Sequence, residues 1–504
     1  MADRRSRLSR TVLVLSVAVM ALAIGVGTIV GISTTSSNLT GEETPDPTVG
    51  NARESPVSPR ESIPPEVAVG ESRGYLTTPE ELVEIAQRAR DGDEPYATGV
   101  DELLEVAKIE WDYELDRTAS CPSSDRPAWI DDGGGASSLY ARALAYHLTG
   151  DERYADEVRD ILERVMSNVE TIETDPQRCR LVFGWGTPEL VASADLIEAV
   201  WRGRICTGPS STVYGEGDMT EGDCKDLFQN WLVKNPYYVV SYAGLDAQSN
   251  WGAAATTTMA YIADYLWDRP EVDLVHREPR SRDSDDLVTE ALGPGEAYAF
   301  ANQLALDRMN GYSVDLHSNE SCDTLDGDQQ HPDWEPVKSQ ITENGIIPED
   351  ARRDESCNVP EYDGEYQNYP QLHLGNLIQQ CELMLRRGDR SCYDNVDRTN
   401  LADYTYEGPN GEQRTTHLRP GRGSLERAIN AVIVDSGTEW RRPSALAVAY
   451  RYYRDHHTLD GIEDWVTFLR PGAAAAQDLS FGNLTHALAE DEHAPLPPSV
   501  APPG

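Results

Sequence analysis

The chain has 504 residues, with 86 acidic and 43 basic side chains, and its formal net charge is −43 at pH 7. Such a charge excludes general binding to nucleic acids, because the phosphate backbone would be repelled. Hydrophobic residues make up 39% of the chain, which allows one large core or two to three ordinary domains.

The N-terminus combines basic residues with a long apolar run. Arginines among the first ten residues precede residues 11–32, a run of about the length that crosses a bilayer. Residues 1–33 are therefore interpreted as a signal peptide or a membrane anchor, and the long run without a clear cleavage site favours the anchor. The positive charge keeps the N-terminus inside, so the rest of the chain is expected outside the cytoplasm, secreted or anchored.

Two segments have the composition of disordered chain. Residues 34–74 are rich in Ser, Thr, Pro and Glu and poor in large apolar residues, which predicts a linker. Residues 491–504 are rich in proline and predict a disordered tail. The folded domain is accordingly expected over residues 75–490.

The cysteines favour disulfide bonds over a metal site. Their number is even and none lies in a CxxC pair, so an exported chain would oxidise them. Cys206 with Cys224 and Cys381 with Cys392 are close enough in sequence to staple local loops. The remaining cysteines are Cys121, Cys179, Cys322 and Cys357.

Between linker and tail, the pattern is that of successive amphipathic helices. The segment "TTPEELVEIAQRARDG" starts with a threonine cap and a proline in the first turn. Two helices meet at residues 149–151, where Gly150 suits a helix C-terminus and Asp151 the next N-cap. Further helical segments start at residues 187, 250, 295, 373 and 441.

Short turns between these segments favour antiparallel helix pairs, and no long series of alternating strands is present. The sequence therefore predicts an all-α or mainly α fold. Over about 400 residues, such pairs can close into an (α/α) toroid or incomplete barrel with a central groove. A plain helical bundle or a repeat stack is the alternative.

The segment "SNWGAAA" is the first candidate for a site. Asn250 and Trp251 lie where a loop enters a helix, and an asparagine there is commonly an N-cap. Its amide could instead donate a hydrogen bond to a substrate carboxylate. Trp251 could stack on a sugar or belong to the core, and the small residues 252–255 allow a helix or a ligand to come close.

The second candidate is the stretch "NGIIPEDARRDESCNVPEYDGEYQNY", residues 344–369. Arg352 and Arg353 offer guanidinium groups that match a carboxylate with two hydrogen bonds, although they could equally pair with neighbouring acids. Tyr366 and Tyr369 follow them. A phenol beside an arginine can carry a proton in catalysis, whereas most tyrosines simply pack.

These segments, in this order, resemble the alginate lyase family of polysaccharide lyases. The helix pair containing "DGGGASSLYARALAYHLTGDERYADEV", the helix start "SNWGAAA", and "NGIIPEDARRD" followed by "YQNYPQLHLGNLIQQCELM" carry the resemblance over residues 75–456. It implies an α/α toroid that cleaves a uronate-containing polysaccharide by β-elimination. The implied partner is an anionic polysaccharide, and the chemistry requires no metal and no cofactor.

The resemblance also implies roles for individual residues. Asn250 would neutralise the uronate carboxylate, and Arg352 or Arg353 would support it or hold a tyrosine as phenolate. Tyr366 or Tyr369 would be base and acid.

The sequence departs from the family pattern in two ways. Trp251 stands where many members have histidine, so His317 and His373 remain alternative bases. An apparent insertion between the arginines and the tyrosines leaves the choice of tyrosine open. The expected substrate-binding residues are Trp251, Trp185, His373 and His317.

Two other functions fit the same sequence. A glycoside hydrolase on a similar helical toroid would need two carboxylates flanking the bond, for which Asp131, Asp132 and Glu189 are candidates. An inactive, glycan-binding relative at the cell surface would need neither a base nor an acid.

Overall fold

A computed structural model of the protein describes the following residues, all within the compact unit Pro59–Gly504: 72–121, 127–131, 134–173, 178–209, 220–241, 249–279, 287–310, 345, 347, 350, 368–394, 404–407, 413–416, 424–435, 440–459, 461–475 and 479–489. Residues 1–33, most of the expected linker and the tail lie outside these ranges. Within the described ranges, no helix is both long enough and apolar enough to cross a membrane.

The fold is mainly α, as the sequence predicts. The helices are α1 Pro79–Asp91, α2 Tyr96–Ala107, α3 Gly135–Thr149, α4 Glu152–Asn168, α5 Arg178–Leu196, α6 Glu198–Trp201, α7 Cys224–Leu232, α8 Asn250–Tyr265, α9 Pro294–Asn310, α10 Asn368–Arg386, α11 Leu425–Asn430, α12 Pro443–His456 and α13 Gly482–Thr485. Short π-helical turns follow α7 at Val233–Tyr237 and α11 at Ala431–Asp435, and a 3-10 helix covers Ile462–Phe468.

The strands are short and form two-stranded sheets. They are β1 Thr118–Ala119, β2 Thr171–Ile172, β3 Ile205–Thr207, β4 Glu221–Asp223, β5 Leu274–Pro279, β6 Leu287–Leu292, β7 Tyr404–Glu407 and β8 Gln413–Thr416. Strands β1 and β2 pair in parallel, whereas the pairs β3–β4, β5–β6 and β7–β8 are antiparallel. Each described sheet therefore has two strands, and the core is built by the helices.

Local sequence signals set the helix ends as expected. Thr78 caps α1 with a reciprocal capping box, in which its hydroxyl accepts from the Glu81 N–H and the Glu81 carboxylate accepts from the Thr78 N–H. Gly150 ends α3 in the left-handed conformation, with φ 71°, and Asp151 caps α4 by accepting from the Arg153 N–H. The predicted α3–α4 junction is therefore confirmed.

Five helices form a continuous series of contacts, and three further helices close it into a ring. Helices α3, α5, α8, α10 and α12 each pack against the next in this order. The short helix α13 contacts α12 on one side and both α1 and α2 on the other, and these two helices contact α3. The circuit of contacts therefore closes, which is the arrangement expected of an α/α toroid.

Neighbouring helices of this ring run parallel to one another, as α8 and α10 do, where Thr257 bonds to the Asn376 carbonyl and Asp264 to Arg387. Ser137 on α3 bonds to Glu189 on α5, and further along both helices His147 lies 2.7 Å from the Leu196 carbonyl oxygen, so these two helices run in the same direction. Helix α4 reverses the chain between them through a two-residue turn. Helix α9 likewise returns the chain between α8 and α10. Its start lies next to the end of α8, since a Cβ added to Gly295 would contact Trp267, just beyond α8.

Small residues let α5 and α8 come close. A Cβ added to Gly184 would lie 3.0 Å from the Cβ of Ala254, and the Thr258 hydroxyl donates to the Gly184 carbonyl at 2.6 Å. The small residues after Trp251 thus serve a helix–helix contact, which was one of the two interpretations open from the sequence.

The other ends of α8 and α10 are joined by a buried ion cluster around Asp264. Its carboxylate is fully buried and accepts two hydrogen bonds from Arg73, at 3.1 and 2.9 Å, and two from Arg387, at 2.9 and 2.8 Å. Burial by itself would raise the pKa of Asp264, but Arg387 and Arg73 hold it well below its usual range. The cluster fastens the C-terminal ends of both helices to the start of the packed chain.

That start includes Ser72, Arg73 and Gly74, which the sequence places at the end of the linker. The buried Asp195 carboxylate accepts from the Ser72 hydroxyl at 2.5 Å and from the N–H groups of Arg73 and Gly74 at 2.8 and 3.0 Å. The Arg387 guanidinium also donates to the carbonyls of Arg73 and Gly74 at 2.9 Å. These bonds make the segment part of the core.

Three disulfide bonds are present among the described residues: Cys121–Cys179, Cys206–Cys224 and Cys381–Cys392. Both local pairs expected from the sequence are confirmed. Cys322 and Cys357 lie outside the described residues. Disulfides of this kind are typical of proteins that fold outside the reducing cytoplasm.

Helix α5 carries an unusual buried carboxyl group at Glu189. It accepts from the Ser137 hydroxyl at 2.9 Å and from the Ser480 N–H at 3.2 Å. Burial raises its pKa to about 7, although the bonds from Ser480 and Ser137 oppose the shift. The neighbours of Ser480, Leu479 and Phe481, have φ angles of 132° and 63°, so these bonds hold a strained backbone in place.

Replacing Asp264 by Asn should strongly destabilise the protein, because two buried guanidinium groups would lose their anion. We expect a loss of about 3–5 kcal/mol in the free energy of unfolding, measured by denaturant titration. The matched control is Asp160→Asn, where a carboxylate that is 63% exposed pairs with Arg159. That change should cost less than about 1 kcal/mol, and equal losses in the two variants would contradict the assigned role of the cluster.

Glu189→Gln should stabilise the protein selectively at high pH. A raised pKa means that the folded state binds the proton more tightly, so the stability that Glu189 contributes is complete below its ordinary pKa near 4.5 and is lost as pH rises through about 7. We expect the variant to exceed the wild type by at most about 3 kcal/mol above pH 8 and to match it near pH 4.5. Thermal unfolding at both pH values measures the difference, and a gain that is independent of pH would rule out this origin.

Candidate active site

Helix α8 begins at Asn250, where the sequence places a loop-to-helix junction. The N-cap is Ser249, whose hydroxyl accepts from the Trp251 N–H at 3.4 Å. Asn250 is therefore the first helical residue and not the cap, which was the conventional interpretation of an asparagine at this position. Its side chain is 1% exposed.

A buried aspartate joins the start of α8 to the second turn of α10. The Asn250 N–H donates to Asp350 Oδ1 at 3.1 Å, and Asp350 Oδ2 lies 2.8 Å from His373 Nδ1. Asp350 is fully buried and His373 is 1% exposed. One carboxylate thus fixes the relative positions of Asn250 and His373.

The partners of Asp350 determine which atom of His373 is available for chemistry. A carboxylate can only accept hydrogen bonds, so Nδ1 of His373 carries the proton and donates. The other ring nitrogen, Nε2, is buried and has no hydrogen-bond partner in the part of the chain that the structure describes. A buried polar atom in this state costs free energy, and a ligand atom placed against it would recover that cost.

A separate hydrophobic cluster, called the aromatic cluster below, includes residues that neighbour Asn250 and His373 in the sequence. Its buried members come from α5, α8 and α10: Leu181, Trp185, Ala254 and Leu372. Trp251 and Tyr369 pack against the cluster and are partly exposed. Tyr369 and His373 are four residues apart on α10, so they share one face of the helix.

The structure brings together five of the residues expected from the sequence. They are Asn250, Trp251, Trp185, Tyr369 and His373. Trp185 is 5% exposed, so it forms part of the wall, whereas Trp251 and Tyr369 present accessible surface. The other expected site residues, Arg352, Arg353, Tyr366 and His317, lie outside the described residues.

The sequence analysis missed Asp350. This residue lies in the quoted segment "NGIIPEDARRD", next to the arginines that attracted attention. The segment before it is closely packed, and Ile347 is fully buried. Gly345 has φ 86° and lies against α11, where an added Cβ would be 2.4 Å from the Arg427 carbonyl oxygen. The apolar pair before Pro348 was the available signal that the acid following it would be buried and need partners.

The carboxylates proposed for a hydrolase lie in different surroundings. Glu189 bonds to Ser137 and Ser480, and the Asp131 carbonyl accepts from the Gly134 N–H in the turn before α3. Asp132 lies outside the described residues. In the same ranges, no group of three or more His, Cys, Asp or Glu side chains is placed to hold a metal ion.

Comparisons with known proteins give matches among solved structures alone. No protein family model matches the chain, and no curated protein sequence matches it. Among solved structures, the chain is similar to an alginate lyase from Bacteroides ovatus, with a TM-score of 0.44 and 14% sequence identity. The match covers 83% of this chain and 100% of the other. A similarity at this level does not define the activity of this chain.

Proposed function

We propose that the protein is a polysaccharide lyase that cleaves a uronate-containing polysaccharide, alginate or a related polyuronate, by β-elimination. The observation that supports this best is the Asp350–His373 pair. It fixes a histidine whose Nε2 has no partner among the described residues, within the same site as Asn250 and a partly exposed tyrosine.

The first requirement of β-elimination is to neutralise the uronate carboxylate. The proton on C5 of the sugar is only weakly acidic, and it becomes removable when donors stabilise the enolate-like charge that develops on the carboxylate. Asn250 supplies an amide for this purpose. His373, oriented by Asp350, would donate to the same carboxylate when its buried Nε2 carries a proton.

The second requirement is a proton carrier. Tyr369 lies on the same face of α10 as His373 and is partly exposed, so its phenol can reach a bound sugar. As phenolate it takes the C5 proton. The electrons of the C5–H bond form the C4–C5 double bond, the C4–O4 bond breaks, and the same phenol returns its proton to O4.

The residues outside the described ranges keep the roles implied by the family resemblance. Arg352 or Arg353 would support the carboxylate or favour the phenolate. Tyr366 remains the alternative proton carrier, and His317 an alternative base. Trp251 would stack on a sugar ring at the partly exposed edge of the aromatic cluster.

A glycoside hydrolase is the second candidate function, and the raised pKa of the buried Glu189 carboxyl group favours it. Its pKa of about 7 suits a general acid, and it lies one helical turn from Trp185 on α5. A hydrolase would also need a second carboxylate across the bond, whereas a non-catalytic glycan-binding relative would need no reacting group.

One assay separates these three functions. The protein, without its N-terminal apolar segment, is incubated with alginate, glucuronan and other polyuronates. A lyase produces ultraviolet absorbance from the new double bond together with new reducing ends. Hydrolysis gives reducing ends without the absorbance, and a binding protein gives neither product, so absence of the absorbance on every polymer would refute the proposal.

Tyr369→Phe should abolish most turnover, because it removes the proton carrier and keeps the aromatic ring. We expect kcat to fall by about 10²- to 10⁴-fold, with the thermal stability unchanged. The control is Tyr238→Phe, at a tyrosine that is 45% exposed and directly follows the π-helical turn Val233–Tyr237, and its activity should match the wild type. If Tyr369→Phe retains full kcat, the carrier is Tyr366 or one of the histidines.

Asn250→Ala should lower kcat while the fold is preserved. The backbone N–H that bonds to Asp350 remains in the variant, so the link between α8 and Asp350 is kept when the side-chain amide is removed. We expect a decrease of about 10²- to 10³-fold in the rate of double-bond formation. Asn168→Ala, at the exposed end of α4, is the matched control. Near wild-type turnover in a folded Asn250→Ala variant would reject its role.

A further inference from the structure

The segment that leads into α12 is attached to the first turn of α10. The Arg441 N–H donates to Gln371 Oε1 at 2.7 Å, and Arg442 Nη2 donates to Asn368 Oδ1 at 3.3 Å. The Trp440 indole N–H donates to the Arg442 carbonyl and completes the turn. Asn368 directly precedes Tyr369, so the Arg442 guanidinium lies at the same end of the helix ring as the proposed proton carrier.

Arg442 has no acidic partner among the described residues. Among the described residues, the bond from its guanidinium goes to the neutral amide of Asn368, and its Nε is buried with no partner. In contrast, Arg73 and Arg387 bond to Asp264, and Arg386 bonds to Glu382 and Glu81. This is notable in a chain with twice as many acidic as basic residues.

A partly buried arginine without an acidic partner is suited to bind an anionic ligand. A partly buried cation without a counter-charge is unfavourable, and a carboxylate placed against Nε and an Nη nitrogen would satisfy both with two parallel hydrogen bonds. The N-terminal ends of α10 and α12 also meet here, and both present partial positive charge.

We propose that Arg442 binds the carboxylate of a uronate unit next to the one that reacts, and thereby selects a polymer with charge on successive sugars. The reacting unit would direct its own carboxylate at Asn250 and His373, on the other side of Tyr369. This inference rests on the proposed function for the identity of the ligand. Arg442 is then a specificity-determining residue, because it touches the substrate away from the reacting atoms.

Substitution of Arg442 tests this by kinetics. Arg442→Gln should raise KM for a polyuronate by about 10- to 100-fold and leave kcat within about threefold, because the contact is made equally in ground and transition states. Arg442→Lys should recover part of the loss. The control is Arg441→Gln, which makes the same change of charge at the adjacent, exposed position and should behave as the wild type. Equal KM values for the two Gln variants would overturn the proposal.

Binding measurements separate this inference from the proposed function. All proteins carry Tyr369→Phe, so that the ligand is bound but not cleaved, and they have Arg442→Gln, Arg441→Gln or no further change. Two ligands are titrated into each protein calorimetrically: uronate oligosaccharides, and the same oligosaccharides after reduction of their carboxyl groups to alcohols. We expect Arg442→Gln to weaken binding of the charged ligand about 10- to 100-fold and to leave the neutral ligand unaffected.

The outcomes are distinguishable. Selective weakening without any eliminase activity would support Arg442 as a carboxylate-binding residue while refuting the proposed lyase function. Elimination with an Arg442→Gln variant that binds the charged oligosaccharide normally would refute the role of Arg442 alone. Absence of uronate binding by the wild type, or equal weakening for charged and neutral ligands, would also overturn it.

Discussion

The carboxylate of Asp264 is the interaction on which the rest of the architecture depends. It accepts four hydrogen bonds from Arg73 and Arg387, and so joins the end of α8, the end of α10 and the first packed residues of the chain. A buried anion of this kind is stable only while its partners remain in place, which makes the cluster a strict constraint on geometry. Helices that could otherwise slide along one another are held at one register.

The consequence of that register is seen at the opposite ends of the same helices. Asn250 is the first residue of α8, and His373 lies in the second turn of α10, so both are positioned by the parallel course of their helices. Asp350 then links them directly with bonds of 3.1 and 2.8 Å. With both ends tied, the backbone of Asn250 and the imidazole of His373 are held in fixed relative positions.

Features encoded in neighbouring residues were predictable, whereas those that need the assembled fold were not. The Thr78 cap and the Gly150–Asp151 junction depend on residues a few positions apart. The run of small residues after Trp251 likewise indicated a helix start near Asn250. The ion cluster at Asp264 joins residues separated by more than a hundred positions, and no local pattern distinguishes such an acid from the many surface acids of this chain. Arg442 was missed for the same reason, whereas Asp350 had a local signal in the apolar pair before Pro348.

The disulfide bonds follow a simple rule of order. Each of the three described bonds links a cysteine to the next cysteine along the chain, over 58, 18 and 11 positions. A chain that emerges into an oxidising compartment from its N-terminus, and whose thiols are joined as they appear, would form these same bonds without rearrangement. In such a compartment, oxidation of these pairs would not have to wait for the ring of helices to close.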